Sequence, residues 1–248
     1  MPCRFATAEA SSRFGRFKPE KEEPARLPQV SGEGIEQLRR KREMLRAMTP
    51  EQAAAAIEIH KELDLFQALA LAKKEKKLMV PNDVIDRILN DTDTELSART
   101  GTMVIYQEPG KPFGEKVVYM WGNEKDGTIS FIIPENFRGK MNCVLVAEYP
   151  DFDVVGSADA YELKIQDVSR LHLLENFPAK REEWYDYDER FGIPVGKPKR
   201  ESNERRYLNR TESYIGPVVR DFDGIDGYWR RGVGLVGRPS VGCGVALF

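Results

Sequence analysis

Histidine and cysteine are both scarce in this chain, with two and three copies in 248 residues. His60 and His172 are a thin supply for metal ligation or general-base chemistry near neutral pH. Cys3, Cys143 and Cys243 are odd in number, far apart and without a CxxC pair, which argues against a disulfide framework or a zinc site. No apolar run approaches the roughly 18 residues of a membrane span. Residues 1–26 carry charges throughout and lack the apolar core of a secretory leader. An excess of one charge is also missing. The 38 basic and 40 acidic residues leave a net charge of −2, so no global field draws the chain to nucleic acid or an anionic membrane. These absences predict a cytoplasmic protein of a reducing compartment, with no metal, cofactor, catalytic residue or membrane partner.

What is present predicts a globular α+β protein: 41% of residues are hydrophobic and 31% charged. Four stretches differ in character: a flexible arm (1–30), a helical region (31–98), an antiparallel β region (99–177), and a loop-rich C-terminal region that closes the domain (178–248). In the arm, Phe5, Phe14 and Phe17 alternate with Arg4, Arg13, Arg16 and Lys18, a pattern suited to stacking on nucleic acid. Without apolar periodicity, the arm reads first as a flexible tail.

Ile35, Leu38, Leu45 and Met48 keep a helical stripe. Thr49-Pro50-Glu51-Gln52 is a capping box with proline in the first turn, and it predicts a helix through Ala53 to about Leu63. Asp64 to Gln67 repeats the signal for a helix to about Lys77, whose last turns carry Lys73, Lys74, Lys76 and Lys77, on the side the helix dipole favours. Pro81-Asn82-Asp83 opens a further short helix, so the region reads as a helical hairpin or bundle. Met103–Tyr106, Val117–Trp121, Thr128–Ile133 and Met141–Glu148 are rich in β-branched and aromatic residues and predict an antiparallel meander, with Ala160–Ile165 as a fifth strand. Asp167–Phe177 reads as a short helix. Residues 178–212 read as a partly ordered connection, in which the acidic, aromatic Glu182–Glu189 precedes a basic set of Lys197, Lys199, Arg200, Arg205, Arg206 and Arg210.

The apparent chemical motifs fail on context. Gly232-Val233-Gly234-Leu235-Val236-Gly237 spells GxGxxG, but that motif works by opening a helix onto a pyrophosphate inside a βαβ unit. Arg238-Pro239 follows at once, and too little chain remains for a helix, a second strand and a ribose ligand. Asp221, Asp223 and Asp226 form a D-x-D-x-x-D cluster, yet Asp226 occupies the place where a calcium loop needs glycine, and no glutamate follows. Asp151 and Asp153 likewise read as turn residues. His60 in the Ala53–Leu63 helix and His172 among Leu171, Leu173 and Leu174 read as structural histidines. The sequons at Asn90 and Asn209 carry no meaning without a secretory signal.

The C-terminus is compositionally distinct. Tyr214-Ile-Gly-Pro-Val-Val-Arg220 leads into a stretch dense in Gly, Asp, Arg and Tyr, followed by Arg230-Arg231, Arg238-Pro239-Ser240 and Gly244-Val245-Ala246. Glycine is entropically costly, so a glycine-dense segment rarely serves packing alone. Over residues 214–248 this order resembles the end of the variable proteins of diversity-generating retroelements, which carry the formylglycine-generating-enzyme type of C-type-lectin fold. The resemblance implies a ligand-binding surface built on scattered variable positions, among them Asp221, Asp223, Asp226 and Tyr228. The chain departs from that pattern by ending in Gly244-Val245-Ala246 where the family has Gly-Phe-Arg, by lacking the upstream Gly-Gly-Ser-Trp, and by having no counterpart of the catalytic cysteines.

The function expected is therefore a non-enzymatic ligand- or protein-binding protein, with Asp221, Asp223, Asp226, Tyr228, Trp229, Arg230 and Arg231 at its contact surface. The alternatives are a nucleic-acid-associated protein, using Lys197, Lys199, Arg200, Arg205, Arg206 and Arg210, and an enzyme whose site is assembled only by the fold.

Overall fold

The computed structural model describes residues 31–61, 63–92, 94, 96–108, 110–120, 127–157, 160–177, 183–199, 206–207, 216–225, 228–234 and 244–248. The arm at residues 1–30 lies outside them.

Among these residues, helices begin where the sequence supplies a start signal. Helix α1 (Gly32–Ala47) is capped by Ser31, whose side chain accepts from the Gly34 amide. Helix α2 (Pro50–Ala56) has the Thr49/Gln52 capping box, and α3 (Leu65–Glu75) the Asp64/Gln67 box. Helix α4 (Asn82–Asp91) follows Pro81.

Helix α2 stops at Ala56, short of the predicted Leu63. Glu58–Lys61 is instead strand β1, so His60 sits on a strand. Four alanines favour a helix but offer it little to bury. The next residues find a ready partner in the C-terminal strand β14 (Gly244–Leu247), with Glu58 opposite Leu247 and His60 opposite Val245.

The strands predicted as one meander are divided between two sheets. Strands β2 (Ala98–Tyr106) and β5 (Cys143–Glu148) pair antiparallel in the larger sheet. Strands β3 (Lys116–Met120) and β4 (Thr128–Ile132) form a hairpin in the smaller one. There β4 pairs in parallel with β7 (Ala160–Ile165), which pairs antiparallel with β6 (Phe152–Ser157), giving the order β3-β4-β7-β6. The predicted helix over Asp167–Phe177 is a 3₁₀ turn (Val168–Arg170) followed by strand β8 (His172–Glu175), paired along β5. The leucines there fit either period, and the open edge of β5 decides for a strand.

The segment predicted as a partly ordered connection contains β9 (Glu183–Asp188), β10 (Ile193–Lys199) and the short β11 (Arg206–Tyr207). A hairpin of β12 (Gly216–Ile225) and β13 (Tyr228–Gly234) follows. The larger sheet then runs β1-β14-β2-β12-β13-β11-β9-β10, with β5 and β8 branching from β2. The fold is α+β, with parallel and antiparallel pairs in both sheets.

Strand β2 is the junction. One edge carries β12 from Phe222↔Ala98 to Gly216↔Tyr106. Its other edge is shared, with β14 beside Ala98 and Arg99 and β5 beside Thr102–Tyr106. Gly101 lies in the gap, where its amide donates to the Val80 carbonyl and its carbonyl accepts from the Tyr149 amide. The core gathers Leu65, Leu69, Val84, Ile85 and Ile88 from the helices against β2, β5 and β14. Burying each such side chain stabilises the fold by about 1.5–3 kcal/mol before entropy is counted. In the smaller sheet Val117, Tyr119, Ile129 and Phe131 point inward, while Val118, Met120 and Ile132 are exposed. No helix among the described residues is long and apolar enough to cross a membrane.

Candidate functional site

The residues singled out in the C-terminal sequence, other than Asp226, lie on the β12–β13 hairpin of the larger sheet. The β12–β2 ladder begins at Phe222↔Ala98. The β12–β13 ladder continues past it through Asp223↔Arg230, Gly224↔Trp229 and Ile225↔Tyr228. The hairpin thus extends beyond the end of β2, and Asp223, Tyr228, Trp229 and Arg230 lie on that extension. Asp221 and Arg231 sit lower, level with the start of β2. Asp226 lies outside the described residues.

Asp221 has a distinct setting. Its β2 partner in the register is Arg99, a side chain only 1% exposed. The Leu63 carbonyl accepts one bond from Arg99 at 3.1 Å.

The basic set is brought next to the hairpin. Tyr207 of β11 pairs with Arg231 of β13, while Arg206 and Tyr207 pair with Trp184 and Glu183 of β9 on the other side. Strand β10, carrying Lys197 and Lys199, lies beyond β9, with Lys199 opposite Trp184 and Val195 opposite Asp186. The acidic, aromatic strand therefore runs between the two basic ones. Arg200, Arg205 and Arg210 lie outside the described residues.

The largest feature that sequence reading missed is a buried network of charge on α1. Arg39, Arg42 and Arg46 share the face that carries Leu38 and Leu45. The i, i+3, i+7 spacing of these arginines is the signal that was there to be read. Arg39 Nε donates to Asp151 Oδ1 at 2.7 Å, and Arg42 meets Asp151 Oδ2 at 2.9 Å. Arg46 grips Asp83 of α4 with two nitrogens, at 2.8 and 2.9 Å, and Glu148 at 2.5 Å. Burial pushes the Glu148 carboxyl above the usual carboxylate range, against the pull of Arg46 and Arg42. Lys73, expected as a cation suited to the helix C-terminus, is 2% exposed in its side chain and bonds Asp153 at 2.5 Å. Asp151 and Asp153, expected as turn residues, are thus buried ion-pair partners. Among the described residues, no group of three or more His, Cys, Asp or Glu side chains is arranged to hold a metal.

His172 borders this network. Its Nε2 lies 3.1 Å from an Arg190 guanidinium nitrogen, and its ring packs on Phe191. Guanidinium only donates, so Nε2 accepts and the ring is neutral, with its proton on Nδ1. Burial first, then the charges of Arg190 and Arg42, hold the His172 pKa below 6.5. As pH falls below 6.5 the unfolded chain takes up this proton before the folded one. Stability from this group is therefore complete above 6.5 and is lost as pH falls toward the folded value. Urea midpoints at falling pH should show a steeper loss for the wild type than for His172→Gln; parallel curves would refute the assignment.

No protein-family model, no curated protein and no solved structure matches this chain.

Proposed function

We propose that this chain is a non-enzymatic ligand- or protein-binding protein, and that the end of its β12–β13 hairpin is the contact surface. The observation that carries the reading is the β12–β13 ladder that continues past β2, placing an acid, two aromatics and a basic residue at the end of that hairpin. Recognition commonly resides on such projections, because the sheet behind them holds their backbone in place. Tyr and Trp supply wide contact area at little entropic cost, and Arg supplies charge-assisted bonds. The resemblance of residues 214–248 to C-type-lectin-fold variable proteins agrees in kind, since it also implies ligand binding through the C-terminal segment.

The sheet order favours this reading over nucleic-acid binding. Glu183, Asp186 and Asp188 of β9 run between the strands that carry Lys197, Lys199 and Arg206, which dilutes any continuous basic surface.

The test compares the full chain with a Tyr228→Ala/Trp229→Ala/Arg230→Ala variant of equal urea midpoint. Both are immobilised and exposed to lysate of the cells that carry the gene, and retained proteins and small molecules are quantified. Species retained by the wild type and lost tenfold or more by the variant, a difference of about 1.4 kcal/mol, are expected. Identical retention would overturn the assignment to the hairpin. Retardation of DNA or RNA at low salt that fades steeply as salt rises, and that persists in the variant, would move the reading to nucleic acid.

A further inference from the structure

Arg39, Arg42 and Arg46 of α1 are matched to carboxylates, but Arg190 and Arg170 are not matched in the same way. Arg190, at the β9–β10 turn, is exposed, stacks on Phe191 and donates its side-chain bond to a neutral imidazole. No carboxylate among the described residues forms an ion pair with it. Arg170, on the 3₁₀ turn two residues before His172, is also exposed, and Asp167 is the acid whose charge it feels.

Three acids of this region hold other partners, while exposed Glu189 adjoins Arg190 in sequence. Asp151 gives Oδ1 to Arg39 and Oδ2 to Arg42. Asp188 Oδ1 accepts the backbone amides of Arg190 and Phe191. Asp167 Oδ1 accepts the Ser169 amide. Burial first, then the charges of Arg190 and Arg42 and least that of Arg170, disfavour a charged His172 ring, while Asp151 favours it. The corner is electropositive, half-buried at the imidazole and open at both flanking guanidiniums.

We propose that Arg190, His172 and Arg170 form a binding site for a phosphate-type oxyanion, in which the imidazole takes a proton from solvent as the anion arrives. Guanidinium forks match the oxygens of phosphate, and a tetrahedral dianion has acceptors enough for both arginines and the ring. In the empty site Arg190 donates to Nε2. When the anion binds, its oxygens take that donor, Nε2 is freed, and the added negative charge favours imidazolium over imidazole. Binding and protonation of His172 are therefore linked, and the bound anion raises the titration midpoint of the ring. The site is separate from the β12–β13 hairpin and stands whether or not the hairpin binds a partner.

The experiment titrates the full chain with inorganic phosphate while following both histidine rings by NMR, with chloride matching the ionic strength. Saturating phosphate is expected to raise the His172 titration midpoint by about one pH unit. His60, on β1, serves as the internal control and should not move. Arg190→Gln should weaken binding about tenfold and abolish the midpoint change, as loss of a charge-assisted bond does. Arg170→Gln should weaken it several-fold, and it decides alone if Arg190→Gln does not fold. No phosphate-dependent change at His172, an equal change at His60, or a full response in the folded arginine variants would overturn the proposal.

Discussion

Replacing Asp151 with alanine is expected to cost about 3–5 kcal/mol of stability, because it strands buried positive charge. Asp151 and Arg42 are 3% and 8% exposed in their side chains, and Arg39 is 15% exposed. One carboxylate serves both guanidiniums, so its loss strands the buried Arg42, while Arg39 keeps Glu36 on its more exposed side. The remaining acid near Arg42 is Glu148, at 3.6 Å, and Glu148 is already bound to Arg46. The asymmetry of such networks matters more than their net worth: a complete pair contributes modestly, while a broken one leaves a desolvation cost uncompensated. Asp151→Asn should recover only a small part of the loss, since it keeps the shape and removes the charge. Coupled replacement of Arg42 by Met and Asp151 by Leu should destabilise less than the sum of the two single changes. Urea unfolding of the four proteins measures the coupling. A single-variant loss below about 1 kcal/mol, the range of exposed pairs, would show that solvent screens the network.

Placing a methyl group at Gly101 is expected to be about as damaging, for a steric reason. A Cβ there would stand 2.4 Å from the Met79 carbonyl oxygen and 2.9 Å from its carbon. Those are backbone atoms, which cannot rotate aside as a side chain can. The Leu78–Val80 segment is also held from both sides: Val80 donates to the Ala246 carbonyl, and Leu78 and Phe248 exchange two bonds. Relief therefore means parting β2 from that segment or from β14. Overpacking a well-filled core costs about 1–3 kcal/mol when neighbours can shift, and Gly101→Ala should reach the top of that range or exceed it. Hydrogen exchange gives a local signature, with the Gly101, Val80 and Phe248 amides losing protection before the rest of the sheet. A Gly101→Ala protein with a wild-type urea midpoint and unchanged protection would refute the close approach.

Both predictions concern residues whose importance local sequence does not announce. The starts of α2 and α3 were legible because a capping box is a local exchange of hydrogen bonds, complete within four residues. Strand stretches such as Val117–Tyr119 and Val144–Val146 were legible because alternating or β-branched apolar residues need no distant knowledge to be recognised. His60 shows where this ends. Alanine propensity carried the expected helix through it, while the β14 ladder, nearly the whole chain away, made it part of a strand. His172 was read as a structural histidine among leucines, whereas its ring meets Phe191 and Arg190, which come from a different strand pair.

The candidate hairpin residues follow the same division. Their composition marked them as unusual, yet only the register separates Asp221, set opposite buried Arg99, from Asp223 and Arg230, which pair beyond the end of β2. By itself the sequence determined the α+β class, the capped helix starts and the locations of five strands, β2 to β5 and β7, because each depends on interactions among residues a few positions apart. Only the tertiary structure decided the split into two sheets, the burial of Arg39, Arg42, Asp151 and Lys73, and the meeting of His172 with Arg190. Those depend on which distant segments pair, and a charged residue reads the same in sequence whether water or a buried counter-charge compensates it.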